Sequence, residues 1–227
     1  MRAGAGLGRL VAIVVLAVIL GTGYTAYAGD RVYQGLDSGR QELVAAQANI
    51  NTAQHSGDLG QLHSAASELD QAEQDFGDAE QRSHADPGLR LASSVSPAGS
   101  QIDGAAHLAA IGADLSRAGQ AVVAIATQVA QLKQQYAGKP LTPDDLQALL
   151  QKAQTIAANY KGSIDQIGVE LKAAHNERAQ VTTTGLVPPL QSAYDAVDRA
   201  LADADTAFLR YQDVRRVLSD LLDVALP

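Results

Sequence analysis

The chain has 227 residues, 46% hydrophobic but only 4% aromatic, with no cysteine or tryptophan and a formal net charge of −8. Without cysteine it has neither a disulfide framework nor a thiolate metal site. The acidic balance disfavours nucleic acid and anionic lipid headgroups as direct partners, and an Ala/Gln-rich, aromatic-poor composition favours long helices over a β-sandwich.

The first predicted element is the charge-free run 10–28, LVAIVVLAVILGTGYTAYA, with Arg2 and Arg9 before it and Asp30 after. Nineteen residues at ~1.5 Å each just span a ~30 Å hydrocarbon core. The arginines hold the N-terminal side in the cytoplasm, and Tyr24 and Tyr27 suit an interfacial aromatic belt. Residues 1–9 are therefore read as a cytoplasmic n-region, and 10–28 as a transmembrane signal anchor whose partner is the lipid bilayer. The rest would be extracytoplasmic, with 15 basic residues against 25 acidic ones. The same run can be read as a secretory signal, with Ala26-Tyr27-Ala28 as a small-x-small site and release after Ala28.

Residues 30–82 read as a helical hairpin. Leu36, Leu43 and Ile50 recur every seven residues, and three positions after each comes Gly39, Ala46 or Ala53. The second arm, 58–82, repeats the arrangement with Leu62, Leu69 and Phe76 followed by Ala65, Ala72 and Ala79. A large-x-x-small heptad lets two helices approach closely, with a turn at Gly57-Asp58. Residues 83–100, with Pro87-Gly88, Pro97 and Gly99, are expected to form a linker or corner with a short helical turn around 89–92.

Residues 101–227 are predicted to be a three-helix antiparallel segment. In its first helix Leu108, Leu115, Val122, Val129 and Tyr136 take one heptad position, and Ile111, Ala118, Ile125 and Leu132 take the other. That is a coiled-coil-type signal. Gly104, Gly112 and Gly119 in the same helix are assigned to close approach of a neighbour. The next helix starts with Thr142 as N-cap, Pro143 in the first turn, and Asp144 and Asp145 at the positive end of the dipole. Its stripe includes Tyr160, Ile164, Ile167, Leu171 and Ala174. The last helix opens at Pro188-Pro189 and buries Leu190, Tyr194, Val197, Leu201, Ala204, Phe208, Tyr211, Leu218 and Leu222. The fold class is all-α: an elongated antiparallel bundle of about five long helices with coiled-coil-like packing, standing on an N-terminal membrane helix.

Chemistry is sparse. His55, His63, His84, His107 and His175 never form an i, i+4 pair and are read as solvent-facing. Asp144 and Asp145 are explained by their place after an N-cap. No nucleophile-elbow, Walker A or dinucleotide string occurs, and Tyr136, Tyr160, Tyr194 and Tyr211 fall on apolar stripes as core residues. No catalytic, cofactor-binding or metal-ligating residue is assigned, and the chain is expected not to be an enzyme.

The hairpin end QAEQDFGDAEQRS and the corner text SVSPAGSQIDGAAHLAAIGADLSRAG, together with the N-terminal anchor, resemble the bacterial domain-of-unknown-function family 4012. The helix VPPLQSAYDAVDRAL and the closing VLSDLLDVALP extend the resemblance. It implies a single-anchor envelope protein, a helical segment followed by a globular domain, and no catalytic residues to carry over. Such a domain would begin near Pro227, so these residues are either a fragment or a member carrying the helical part alone.

The leading functional reading is a membrane-anchored extracytoplasmic helical module, a stalk or interaction scaffold of the cell envelope with a protein or envelope partner. The alternative is a chemoreceptor-like sensor bundle, which needs a second crossing and an output domain. A scaffold depends on core positions and on no polar position. Leu115→Ala is accordingly expected to cost about 2–5 kcal/mol, while His107→Ala and Asp114→Ala stay within about 0.5 kcal/mol.

Overall fold

The computed structural model describes residues 30–85, 98–136 and 143–211. They form α1 (Asp30–Ser56), α2 (Leu59–Ala85), α3 (Ala98–Tyr136), α4 (Pro143–Gln180) and α5 (Pro188–Tyr211), with no strand among the described residues. The all-α fold and its five helices are as the periodicity predicts. The anchor run 10–28, the turn expected at 89–92, the cap Thr142, and Leu218 and Leu222 lie outside the described residues.

The α1–α2 turn forms where glycine permits it. Gly57 has φ +70°, a left-handed conformation without a Cβ penalty. Its N–H donates to the Ala53 carbonyl at 2.7 Å. Asp58 caps α2, its carboxylate accepting from the Gly60 N–H at 2.8 Å. The second arm begins at Leu59 and runs through Ala85, three residues past the expected end. Ser83 is buried and its hydroxyl bonds back to the Ala79 carbonyl at 2.8 Å, so it belongs to the helix. α3 includes residues 98–100, part of the expected corner; residues 86–97 lie outside the described residues.

The helices pack in sequence order. α1 lies along α2, α2 along α3 and α3 along α4, while α5 rests on α4 and, more sparsely, on α3. Neighbours run antiparallel: Phe76 of α2 meets Gly112 of α3, and Leu69 meets Gly119. At ~1.5 Å per residue the 39 residues of α3 make a rod of about 58 Å.

The large and small heptad residues of the hairpin are the ones that disappear from solvent. Leu43, Ala46, Ile50, Leu62, Ala65, Leu69, Ala72, Phe76 and Ala79 are all buried. All but Ala79, which packs with Val32 and Ala109, join Leu115, Val122, Ile125 and Val129 of α3 and Ile167, Leu171 and Leu201 of α4 and α5 in one core. α3 is not a one-faced helix. From Gln101 to Val123 only Asp103, His107, Arg117 and Gln120 are half-buried or exposed. A helix covered almost all round is a core helix. Its segment Gly99–Leu132 is long and apolar enough to cross a membrane, but 83% of that window is buried inside the bundle.

The helices can come this close because specific glycines leave room. A Cβ on Gly112 would lie 2.8 Å from the Phe76 ring and one on Gly39 2.9 Å from its other side. A Cβ on Gly168 would likewise lie 2.8 Å from Phe208. Gly162, also mid-helix, has nothing within 4 Å of that position. Gly112→Ala should therefore destabilise by about 1–3 kcal/mol through overpacking, despite its gain in helix propensity. Gly162→Ala should stabilise by about 0.5–1 kcal/mol. Urea unfolding followed by helical circular dichroism measures both, and a stabilising Gly112→Ala would mean that the Phe76 contact is not tight.

Candidate functional site

α3 sets out a polar stripe along its mostly apolar first two-thirds: Asp103, His107, Asp114, Arg117 and Gln120 follow one another at three-, four- or seven-residue steps. Such steps keep side chains on one face. This face looks into the trough between α2 and α4, and both walls contribute carboxylates. Arg117 reaches one from each wall and one from its own helix. Its Nε donates to Glu170 of α4 at 2.8 Å, one terminal nitrogen to Glu73 of α2 at 3.2 Å, and the other to Asp114 of its own helix. Gln120 donates to the second oxygen of Glu73 at 2.9 Å. About three turns from Arg117 toward the start of α3, His107 Nδ1 pairs with Glu177 of α4 at 2.8 Å.

A guanidinium suits this position because its rigid fork offers five N–H donors to several carboxylates at once. The Arg117 side chain is 34% exposed, Glu170 14% and Asp114 6%. Burial works against the charge on Arg117, but its hydrogen bonds to Glu170 and Glu73 and the Asp114 charge hold its pKa above the ordinary value. Asp114 moves the other way. Burial raises its pKa from 3.8 to about 6, the Glu170 and Glu177 charges add to the rise, and Arg117 opposes it. A rise of that size corresponds to about 3 kcal/mol against the ionised form.

These positions correct the expectation that Asp114 and His107 stand on an indifferent solvated face. Flanked by α2 and α4, the polar face of α3 is an internal seam. His175 pairs with Asp205 of α5 at 2.9 Å, so it too has a carboxylate partner. His63 and His84 are exposed as expected. The side chains of His55, Asp144, Asp145, Tyr136 and Tyr211 lie outside the described residues. Tyr160 is buried, and Arg178 lies 5.4 Å from the ring centre of Tyr194 while also pairing with Asp198.

At the far end of α3, buried Gln101 clasps the α4–α5 connection. Its amide N–H donates to the Gly185 carbonyl at 2.6 Å, and its carbonyl accepts from the Val187 N–H at 3.0 Å. Gly185 has φ +86° in that turn. On the outer side of α2, Asp70, Glu73, Asp75 and Asp78 line an open groove of about 500 Å³ that reaches Arg117. Burial, with the Asp78 charge, raises the pKa of Asp75. Among the described residues no group of three or more His, Asp and Glu is arranged to hold a metal ion.

No protein-family model, curated protein or solved structure matches the chain. What the seam can do chemically is hold three helices together through one cation and take up or release a proton at Asp114.

Removing the cation strands the carboxylates. Arg117→Met should lower stability near pH 7.5 by about 3 kcal/mol, since Asp114 and Glu170 would then be buried without a counter-charge. Part of that loss should return at pH 5, where Asp114, its pKa raised by burial, is protonated. Urea melts of the variant at the two pH values measure this, and a loss equal at both would show that the guanidinium acts only through packing.

Proposed function

We propose that the chain is a membrane-anchored extracytoplasmic helical module, serving as a stalk or interaction scaffold of the bacterial cell envelope. The observation that carries this reading is the charge-free run 10–28, which ends two residues before α1 begins at Asp30. A helix pair starting that close to a bilayer-spanning segment would hold the bundle upright at the surface. Arg2 and Arg9 on the short N-terminal flank favour a cytoplasmic N-terminus. Gly99–Leu132 is apolar enough to compete as a crossing, but its apolar surface is occupied by the other helices, which supports a single anchor.

The interior also favours a scaffold. Its buried residues are overwhelmingly Ala, Leu, Val and Ile, most of them in one core, and Asp114, Arg117 and His107 of α3 are engaged with one another or with neighbouring helices. The resemblance to family 4012 points the same way, toward an envelope protein with no catalytic residues to carry over. In the same reading the partner is a protein or other envelope component and the anchor is retained rather than cleaved after Ala28.

Topology and processing are read together. Protease added to intact protoplasts should remove everything after Asp30, and the mature protein should keep its N-terminal residues by mass spectrometry. Protection of that part overturns the orientation; a mature N-terminus at Gly29 overturns the anchor in favour of a secreted bundle.

A further inference from the structure

The Arg117 seam brings together more negative charge than it neutralises. Facing Asp114 are Glu73 from α2, through the shared guanidinium, and Glu170 and Glu177 from α4; Arg117 and His107 stand on its own helix. Four carboxylates thus share one permanent cation and one imidazole. Asp114 is the most enclosed of the four, at 4% residue exposure, and along α3 it lies between two of the links to α4, Arg117–Glu170 and His107–Glu177.

We propose that this seam is a proton-operated clamp, in which Asp114 takes up a single proton on mild acidification and thereby tightens the hold of α4 on α3 and α2. With Asp114 ionised, its carboxylate holds the third donor of the guanidinium, beside those taken by Glu170 and Glu73, and repels Glu170 and Glu177 across the interface. Protonation removes that repulsion and leaves Arg117 to the two outer helices. The carboxyl then becomes a donor to the carboxylates around it. Burial of Asp114 sets the working range by raising its pKa to about 6.

The sign follows from linkage. A carboxyl with a folded pKa above its unfolded one binds its proton more tightly in the folded state, so it stabilises fully below the unfolded value. That stability is lost as pH rises through the folded value. The clamp is therefore tight near pH 5 and slack near pH 8. With pKa values of about 6 folded and 3.8 unfolded, this group alone makes the unfolding equilibrium about tenfold more favourable at pH 8 than at pH 5. The clamp goes beyond the scaffold reading and holds whether or not residues 10–28 anchor the chain.

The test uses the full-length chain in neutral detergent, with urea unfolding followed by circular dichroism from pH 5 to 8. Wild type, Asp114→Asn, His107→Gln and the double variant are compared. The wild-type unfolding constant should rise about tenfold more over that range than that of Asp114→Asn, and a similar difference should separate His107→Gln from the double variant Asp114→Asn/His107→Gln. Carbon-13 NMR of the carboxyl groups should show one aspartate titrating near pH 6, missing from Asp114→Asn. Parallel pH profiles for wild type and Asp114→Asn overturn the clamp, as does a difference that disappears when His107 is replaced. If Asp114→Asn does not fold, the wild-type carboxyl titration decides alone: all aspartates titrating near 4 overturns the proposal.

Discussion

The bundle depends on the placement of one ring. Phe76 is the largest fully buried side chain among the described residues, and it sits where α1, α2 and α3 come together. Gly39 and Gly112 face its two sides, each leaving less room than a methyl group needs. An aromatic side chain between two backbones holds three helices at fixed spacing, while Ala46, Ala65, Ala72 and Ala118 keep the rest of the interfaces thin. Burying such a ring contributes up to about 3 kcal/mol, and the glycines are what allow the burial. The same device recurs at the other end of the fold, where Gly168 of α4 accepts Phe208 of α5. The chain's two phenylalanines each occupy a glycine-lined position.

Close packing of this kind makes α3 the central helix, and centrality explains its polar stripe. A helix covered by α2 on one flank and α4 on the other cannot present Asp114 to bulk water, so any charge on that face has to be compensated within the bundle. Glu73 and Glu170 cannot do so, being of the same sign; Arg117 does. Replacing the whole group with apolar residues of similar volume would cost the fold little, because burying ion pairs carries a desolvation penalty comparable to their attraction. The group therefore has to be explained by something other than bulk stability.

Much of the fold is legible in the sequence because large and small residues alternate at heptad spacing in α1 and α2 and apolar heptads run through α3. Those positions are buried from Leu43 through Leu132, with Leu36 only partly so, and Gly112 and Gly119 lie where a neighbour comes close. The seam was harder to read. His107 and Asp114 fall seven residues apart, as do Glu170 and Glu177, but each looks like ordinary solvated charge until α4 is laid antiparallel on α3. The available signal was opposite charge at matching heptad positions on helices that short connections force together, Arg117 against Glu170 above all. Helical periodicity ranks which face is apolar; it does not say that the remaining face is also covered. The clasp at Gln101 carried no pattern at all, because its partners are backbone groups of a turn 84 and 86 residues away.

Specificity gives the polar groups their structural reason. A repeat of Leu-x-x-Ala at seven-residue intervals packs almost as well when one helix slides by a heptad, because each large residue then meets another small one. Apolar packing alone therefore leaves the axial register of α2, α3 and α4 weakly determined. Three features break the degeneracy. Phe76 fits only opposite Gly39 and Gly112, since the equivalent positions one heptad away on α1 and α3 are Ala46 and Gly119, and Gly119 already receives Leu69. Arg117 satisfies Glu73 and Glu170 together in a single alignment of three helices. Gln101 finds both a carbonyl and an N–H only when the α4–α5 turn lies over the start of α3. A seven-residue slip would displace a helix by about 10 Å, which empties the aromatic pocket and leaves the carboxylates of the seam without their cation. The polar seam thus selects one alignment among near-equivalent apolar ones, and the proton at Asp114 adjusts how firmly that alignment is held.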